Sequence, residues 1–212
     1  RWVDLTERDR EVVAGWQSTT RFAVAVGDGP PDAVTATVTS LGAQLHDRWA
    51  VGAEAGDADW VMGLEAGVVL HPAALATVAR TVDANPDLRL VYADHDHLDD
   101  GGRPTDPYFL PDWNPDLFAG LGRIGALVAR HRTVSAEAVT GMDGGVVRHL
   151  PFVLASRPTR LRNADPAPVR HRWPVGDPPP QVSVVVPTRD QGRLLEACLT
   201  SLRDRTRYPD VE

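Results

Sequence analysis

RFAVAVGDGPPDAVTATVTSLGAQLHDRWAV, residues 21–51, and QVSVVVPTRDQGRLLEACLTSLRDRTRYPDVE, residues 181–212, read as two copies of one pattern. Each opens with an apolar run of strand length and passes through a turn bearing Pro and Asp. Each then continues into a helix with apolar residues at helical spacing. Thr39-Ser40-Leu41 lies over Thr200-Ser201-Leu202 once one gap is allowed. A buried strand, a loop at its carboxyl end and a helix make the first βα unit of an open α/β sheet. Ligands of such sheets bind beyond the carboxyl ends of the strands. The expected organisation is an α/β domain over 1–157, an extended Arg/Pro-rich linker over 158–180, and the opening of a second α/β domain over 181–212.

Between the copies, periodicity places the remaining elements. Helices are expected over 4–16 and over 32–46, the second with Val34, Val38, Leu41 and Leu45 inward. Strands are expected at 48–51, 60–64 and 88–93. A helix begins at His71-Pro72 with Leu75, Val78 and Val82 inward and ends before Asn85-Pro86. Residues 124–130 fit a strand or a helix, 135–145 a short helix, and 148–158 a strand.

Composition narrows the partners. The net charge is −7 and every one of the basic residues is Arg, with no basic stripe, which argues against nucleic acid. Cys198 is the only cysteine, set among leucines as a core residue, so no disulfide framework exists and a reducing compartment is implied. No apolar run reaches the length of a membrane span and the first residues are no signal peptide. The expected location is the cytoplasm, with a peripheral place at the inner face of the membrane as its variant. A start at Arg1 and an end at Glu212 suggest a piece of something longer.

The stretch YADHDHLDDGGRPTDPYFLPDWNPDLF, residues 92–118, concentrates the chemistry. A strand end runs into Asp94, Asp96, Asp99 and Asp100, then into a long loop stiffened by prolines and aromatics. Crowded carboxylates repel one another, so Asp94 and Asp96 are candidate ligands of a cation or of a strongly hydrogen-bonding group. Asp99-Asp100-Gly101-Gly102 reads equally well as a solvated turn. A calcium loop fails for want of a closing Glu, and His95 and His97 lack a third zinc ligand at sensible spacing. Tyr108, Phe109 and Trp113 fit either an aromatic binding platform or a plug over the sheet edge.

These residues resemble the nucleotide-sugar-dependent glycosyltransferases of family 2, with the GT-A fold, and in particular large bacterial proteins carrying two such domains in tandem. VSVVVPTRDQGRLLEACLTSL is similar to the family's opening VSVVIPT strand and LxxCLxSL helix. Residues 91–118 are similar to YxDxDxxxxxGxxxxPxFKPxWxPDLL, a segment these tandem enzymes carry. DADWVMGLEAGVVLHPAALATVA resembles the strand and helix that normally read LDxDDxLxPxAL.

The resemblance implies a nucleotide-sugar donor, a glycan acceptor and a divalent Mg²⁺ or Mn²⁺. It makes Pro187, Thr188, Arg189 and Asp190 a nucleotide-binding turn, Asp94, Asp96 and Glu65 candidate metal ligands, and Tyr108 and Trp113 acceptor-binding residues. The first domain departs from the pattern: LDxDD has become Leu64-Glu65-Ala66-Gly67, the PT turn is Gly27-Asp28-Gly29, and Val51 to Trp60 leaves no room for the second βα unit. The expectation is a degenerate GT-A-like first domain and a truncated second one, inactive as they stand. Two other classes are weighed: a carbohydrate-binding or scaffold module without chemistry, and a divalent-ion-dependent nucleotidyltransferase-like enzyme using Asp94, Asp96 and the histidines.

Overall fold

The computed structural model describes residues 11–13, 15–52, 56–121, 124–158 and 176–212. The chain divides into two compact units, Arg1–Val169 and Arg170–Glu212. Most of the helix expected over 4–16 and most of the linker expected over 158–180 lie outside the described residues.

The first unit is built on one mixed sheet of eight strands. They are β1 (Phe22–Val26), β2 (Trp49–Val51), β3 (Trp60–Leu64), β4 (Val69–Leu70), β5 (Leu90–Leu98), β6 (Pro104–Tyr108), β7 (Leu127–His131) and β8 (Val147–Pro158). Their order is β2-β1-β3-β7-β5-β8-β4, with β6 paired to β5. Strands β2, β1 and β3 are parallel, as are β5 and β8, while β7 runs antiparallel between β3 and β5. This is the open mixed α/β sheet that was expected.

Alternation along β5 sends its side chains to two separate cores. Val91 and Ala93 join a cluster with Phe22, Val24, Met62 and Leu64, covered by helices α1 (Pro31–Gly42) and α2 (Ala74–Ala84). Leu90 and Tyr92 join a second cluster with Leu110, Phe118 and Ile124, next to helix α3 (Pro115–Leu121). A strand buried on both faces is apolar throughout, which is why 88–93 carries no polar alternation.

Helix α1 starts with Pro31 in its first turn, where a missing N–H costs nothing. It buries Ala33, Thr37, Ser40 and Leu41, and leaves Val38 exposed, so the inward face is not the Val34–Val38–Leu41 stripe that was expected. The cause is polar. Thr37 Oγ1 accepts from the Gly67 N–H at 2.9 Å and Ser40 Oγ from the Leu70 N–H at 3.1 Å. Buried N–H groups of the β3–β4 connection need acceptors, and orphaned donors cost more than an exposed valine.

The acidic stretch also differs from expectation. Asp94 and Asp96 are not in a loop but inside β5, which continues to Leu98 and forms a hairpin with β6. Asp99-Asp100-Gly101-Gly102 is the hairpin turn: Asp99 Oδ1 accepts from Gly101 N–H and Arg103 N–H, and Gly102 has φ +72°. The proline-rich segment thus holds a strand and a helix, because β5 offers an unpaired ladder edge beyond the start of β7. The helix expected over 135–145 is two 3-10 turns, Val139–Gly141 and Gly144–Val146.

In the second unit, helix α4 (Gly192–Arg205) forms as expected, but the strand over 181–190 does not. A single bridge joins Val182 to Val211, and Val185 is 87% exposed. An apolar strand needs ladder partners on its edges and layers on its faces, and the described residues of this unit supply one helix. Cys198 is accordingly half-buried rather than core. No helix among the described residues is long and apolar enough to cross a membrane.

Candidate functional site at the carboxyl ends of the strands

Strands β1 and β3 run side by side from Phe22↔Trp60 to Val26↔Leu64, so their carboxyl ends finish together. The loop after β1 and the Glu65-Ala66-Gly67 turn after β3 therefore face each other, at the place where an open α/β sheet takes its ligand. Here they meet directly. Gly27 N–H donates to Leu64 O at 2.8 Å, prolonging the ladder past the strand. A Cβ on Gly29 would lie 2.5 Å from the Ala66 Cβ, so only glycine admits this approach. The Gly67 and Leu70 amides go to helix α1. The Gly27, Gly67 and Leu70 amides are thus used internally.

Glu65, the acidic residue of that turn, is a partner of Arg157 at the far end of β8. Arg157 Nη2 donates to Glu65 Oε2 at 2.9 Å. The arginine side chain is 1% exposed and the glutamate side chain 54%. No local sequence signal announces this pair, since 92 residues separate its members. An arginine inside the otherwise apolar FVLASRP run was the one available hint.

Asp94 and Asp96 stand two residues apart on β5 but are served differently. Asp94 Oδ1 accepts from Leu110 N–H and from His149 Nε2, both at 2.8 Å. The His149 ring stacks on Tyr92 at 4.9 Å, its Nδ1 lies 3.4 Å from the exposed Asp112, and Tyr92 donates its hydroxyl to Pro111 O at 2.7 Å. Burial, then the Asp112 and Asp94 charges, push the Tyr92 hydroxyl above its ordinary range. These contacts pin the 110–113 segment to the sheet. His149 escaped sequence reasoning because strand register alone brings it beside Tyr92.

Asp96 is fully buried, and neither carboxylate oxygen meets a hydrogen-bond donor at bonding geometry among the described residues. Burial raises its pKa to about 6; Ser156, its register partner on β8, and His97 give partial relief. His97 Nδ1 is 3.1 Å from the Asp106 carbonyl, and Asp106 itself has φ +51°.

The aromatic residues separate. Trp113 stacks on Phe118 at 5.0 Å and donates Nε1–H to Met142 O at 2.9 Å, which places it in the second core as a plug. Tyr108 is 49% exposed above the His95 ring, and Phe109 is 70% exposed.

The divalent ion implied by the resemblance does not find a fitting donor set here. Glu65 is held by Arg157 and Asp94 by Leu110 and His149. Among the described residues no three His, Cys, Asp or Glu side chains stand together as a metal site. A groove of about 230 Å³ does exist, lined by Arg21, Asp47, Arg48, Trp49 and Asp57. It lies at the amino ends of β1 and β2, the opposite end from the crevice.

In the second unit, Pro187, Thr188, Arg189 and Asp190 are exposed just ahead of α4. Asp190 has φ +54° and does not cap the helix, whose N-cap is Gln191 without a side-chain bond.

Comparison with known proteins gives two sequence relatives. An O-antigen biosynthesis protein, RfbC, of Myxococcus xanthus is 31% identical in an alignment over 205 residues, covering 73% of this chain and 16% of that protein. The uncharacterized protein y4gI of Sinorhizobium fredii is 27% identical over 199 residues, covering 68% of this chain and 22% of its own length. The chain thus spans a small part of either relative. No family model matches. Among solved structures, S. aureus TarS 1-349 in complex with UDP-GlcNAc superposes with a TM-score of 0.48 at 11% identity, over 66% of this chain and 59% of that one. The same protein with UDP gives a TM-score of 0.46 at 10% identity. By sequence, the chain is similar to a part of a bacterial O-antigen biosynthesis protein, and its first unit is an open mixed α/β sheet.

Proposed function

We propose that this chain is part of a family 2 glycosyltransferase that moves a sugar from a nucleotide donor to a hydroxyl of a surface polysaccharide. The observation that carries the proposal is the similarity to an O-antigen biosynthesis protein, in a chain whose motifs resemble those of such enzymes. In the whole protein a bound divalent ion would supply charge neutralisation for the leaving diphosphate and a carboxylate would take the acceptor's proton, which are metal and general-base roles. The Pro187–Asp190 turn is assigned to the nucleotide of the second domain. The first unit is a degenerate copy that holds the acceptor or positions its neighbour, and residues 1–212 alone do not turn over a nucleotide sugar. The reaction is placed in the cytoplasm or at the inner face of the membrane.

One observation favours a binding role within this reading. The donor end is packed shut while Tyr108 and Phe109 stay exposed, the opposite of what a donor-only remnant would keep. The nucleotidyltransferase reading loses one of its ligands, because Asp94 is committed to the Leu110 amide and His149.

The test is calorimetric titration of UDP and GDP into the folded chain with Mn²⁺ present. No heat is expected from either. Metal-dependent binding at micromolar strength would overturn the degenerate-copy assignment, and release of nucleotide from any sugar donor would overturn the inactivity of the chain.

A further inference from the structure

The Glu65–Arg157 pair has an asymmetry that a surface salt bridge lacks. Its guanidinium is withdrawn from water while its carboxylate faces outward. A buried arginine requires a fixed counter-charge, and removing that partner leaves an uncompensated charge in the interior. Arg157 stands beside His97 on β5, past the irregular register at Ala93–His95. Glu65 is the first residue after β3, two strands away across β7 and β5. The pair therefore brings a positive charge from the end of β8 to the carboxyl end of β3.

We propose that Arg157 is the resident cation at the carboxyl end of β3: its guanidinium holds the place for which the family resemblance calls on a divalent ion, and Glu65 is its counter-ion rather than a metal ligand. The inference rests on reading that end as a former donor site. Chemistry favours the arrangement. A divalent ion of this kind needs several oxygen donors, and the turn supplies a single carboxylate, Glu65. A guanidinium is permanently charged, planar and more weakly hydrated than an ammonium, so it can be held in a buried site by a carboxylate such as Glu65 where a divalent ion would need several.

The experiment is a Mn²⁺ titration of the whole chain, followed by the paramagnetic resonance of free Mn²⁺, with melting temperature as a second readout. The unaltered chain is expected to show no saturable site tighter than about 1 mM. Glu65→Gln lowers the melting temperature and leaves Mn²⁺ binding unchanged. Arg157→Glu sets a second carboxylate against Glu65, and this variant gains a site at least about tenfold tighter, with a melting temperature that rises on adding Mn²⁺. A one-to-one Mn²⁺ site in the unaltered chain that Glu65→Gln abolishes would overturn the proposal. So would an Arg157→Glu chain that folds and gains nothing. Should that variant not fold, the unaltered chain against Glu65→Gln decides alone. No nucleotide enters the measurement, so its failure and that of the donor reading are separately visible.

Discussion

Replacing Asp96 by Asn separates the cost of a buried charge from the cost of a buried polar group. Asp96 is fully buried, and its pKa is raised from 3.8 to about 6, first by burial. A group whose folded pKa lies above its unfolded value keeps its proton longer in the folded state. Its favourable contribution is complete below about pH 3.8 and is lost as pH climbs through 6. By pH 8 the ionised carboxylate should cost the fold about 2–3 kcal/mol relative to acid. Asn has the same shape and never ionises. It carries its own unpartnered amide, but that penalty is the same at every pH.

The stability difference between Asp96→Asn and the unaltered chain should therefore move in favour of Asn by about 2–3 kcal/mol between pH 4 and pH 8. Urea unfolding of both proteins at each pH measures it, and every other titrating group cancels in the comparison. For a domain of this size the shift corresponds to roughly 5–10 °C in melting temperature at the alkaline end. A difference that stays constant across this range would show that the carboxylate finds water or a partner in the folded state, and the reasoning would fail.

Two further substitutions test how the carboxyl ends are packed. Gly29→Ala places a methyl 2.5 Å from Ala66 Cβ and should destabilise by roughly 1–3 kcal/mol in thermal unfolding; adding Ala66→Gly should recover most of the loss, and no recovery would refute the contact. Thr37→Val keeps the side-chain volume but deprives the Gly67 N–H of its acceptor, with an expected cost of about 1–3 kcal/mol and faster exchange of the Gly67 amide. An unchanged exchange rate at Gly67 would show that the hydroxyl is not its partner.

The elements legible in the sequence were those set by local forces. The β1 strand, helix α2 with Leu75, Val78 and Val82 inward, and helix α4 follow from periodicity and from Pro and Asn at the ends. What stayed hidden was decided by partners distant in sequence. Val38 looked inward by spacing, yet Thr37 and Ser40 face the sheet because amides 30 residues away need acceptors. Asp94 and Asp96 looked like loop residues because two carboxylates in a buried strand contradict propensity; His149 on β8 and the Leu110 amide make Asp94 tolerable. Glu65 stood out in Leu64-Glu65-Ala66-Gly67 as a single carboxylate, but its pairing with an arginine from another strand did not.

The carboxyl ends of β1 and β3 have lost more than ligating side chains. In an open α/β sheet the ligand is held largely by backbone amides left free past the strand ends. Here the Gly27 amide continues the ladder to Leu64, the Gly67 and Leu70 amides are taken by α1 hydroxyls, and Gly29 touches Ala66. Each contact also contributes to stability, so reopening the crevice would expose buried donors and lose packing together. A site degraded by side-chain loss alone would regain affinity when an acidic residue was restored. A site whose amides have been absorbed into the fold could gain a metal ion from such a residue, as Arg157→Glu should, but not a diphosphate held on the Gly27, Gly67 and Leu70 amides, which are already taken. The carboxyl ends of β1 and β3 are therefore tied together by hydrogen bonds of the fold itself, while Tyr108, the last residue of β6, and Phe109 beside it stay exposed.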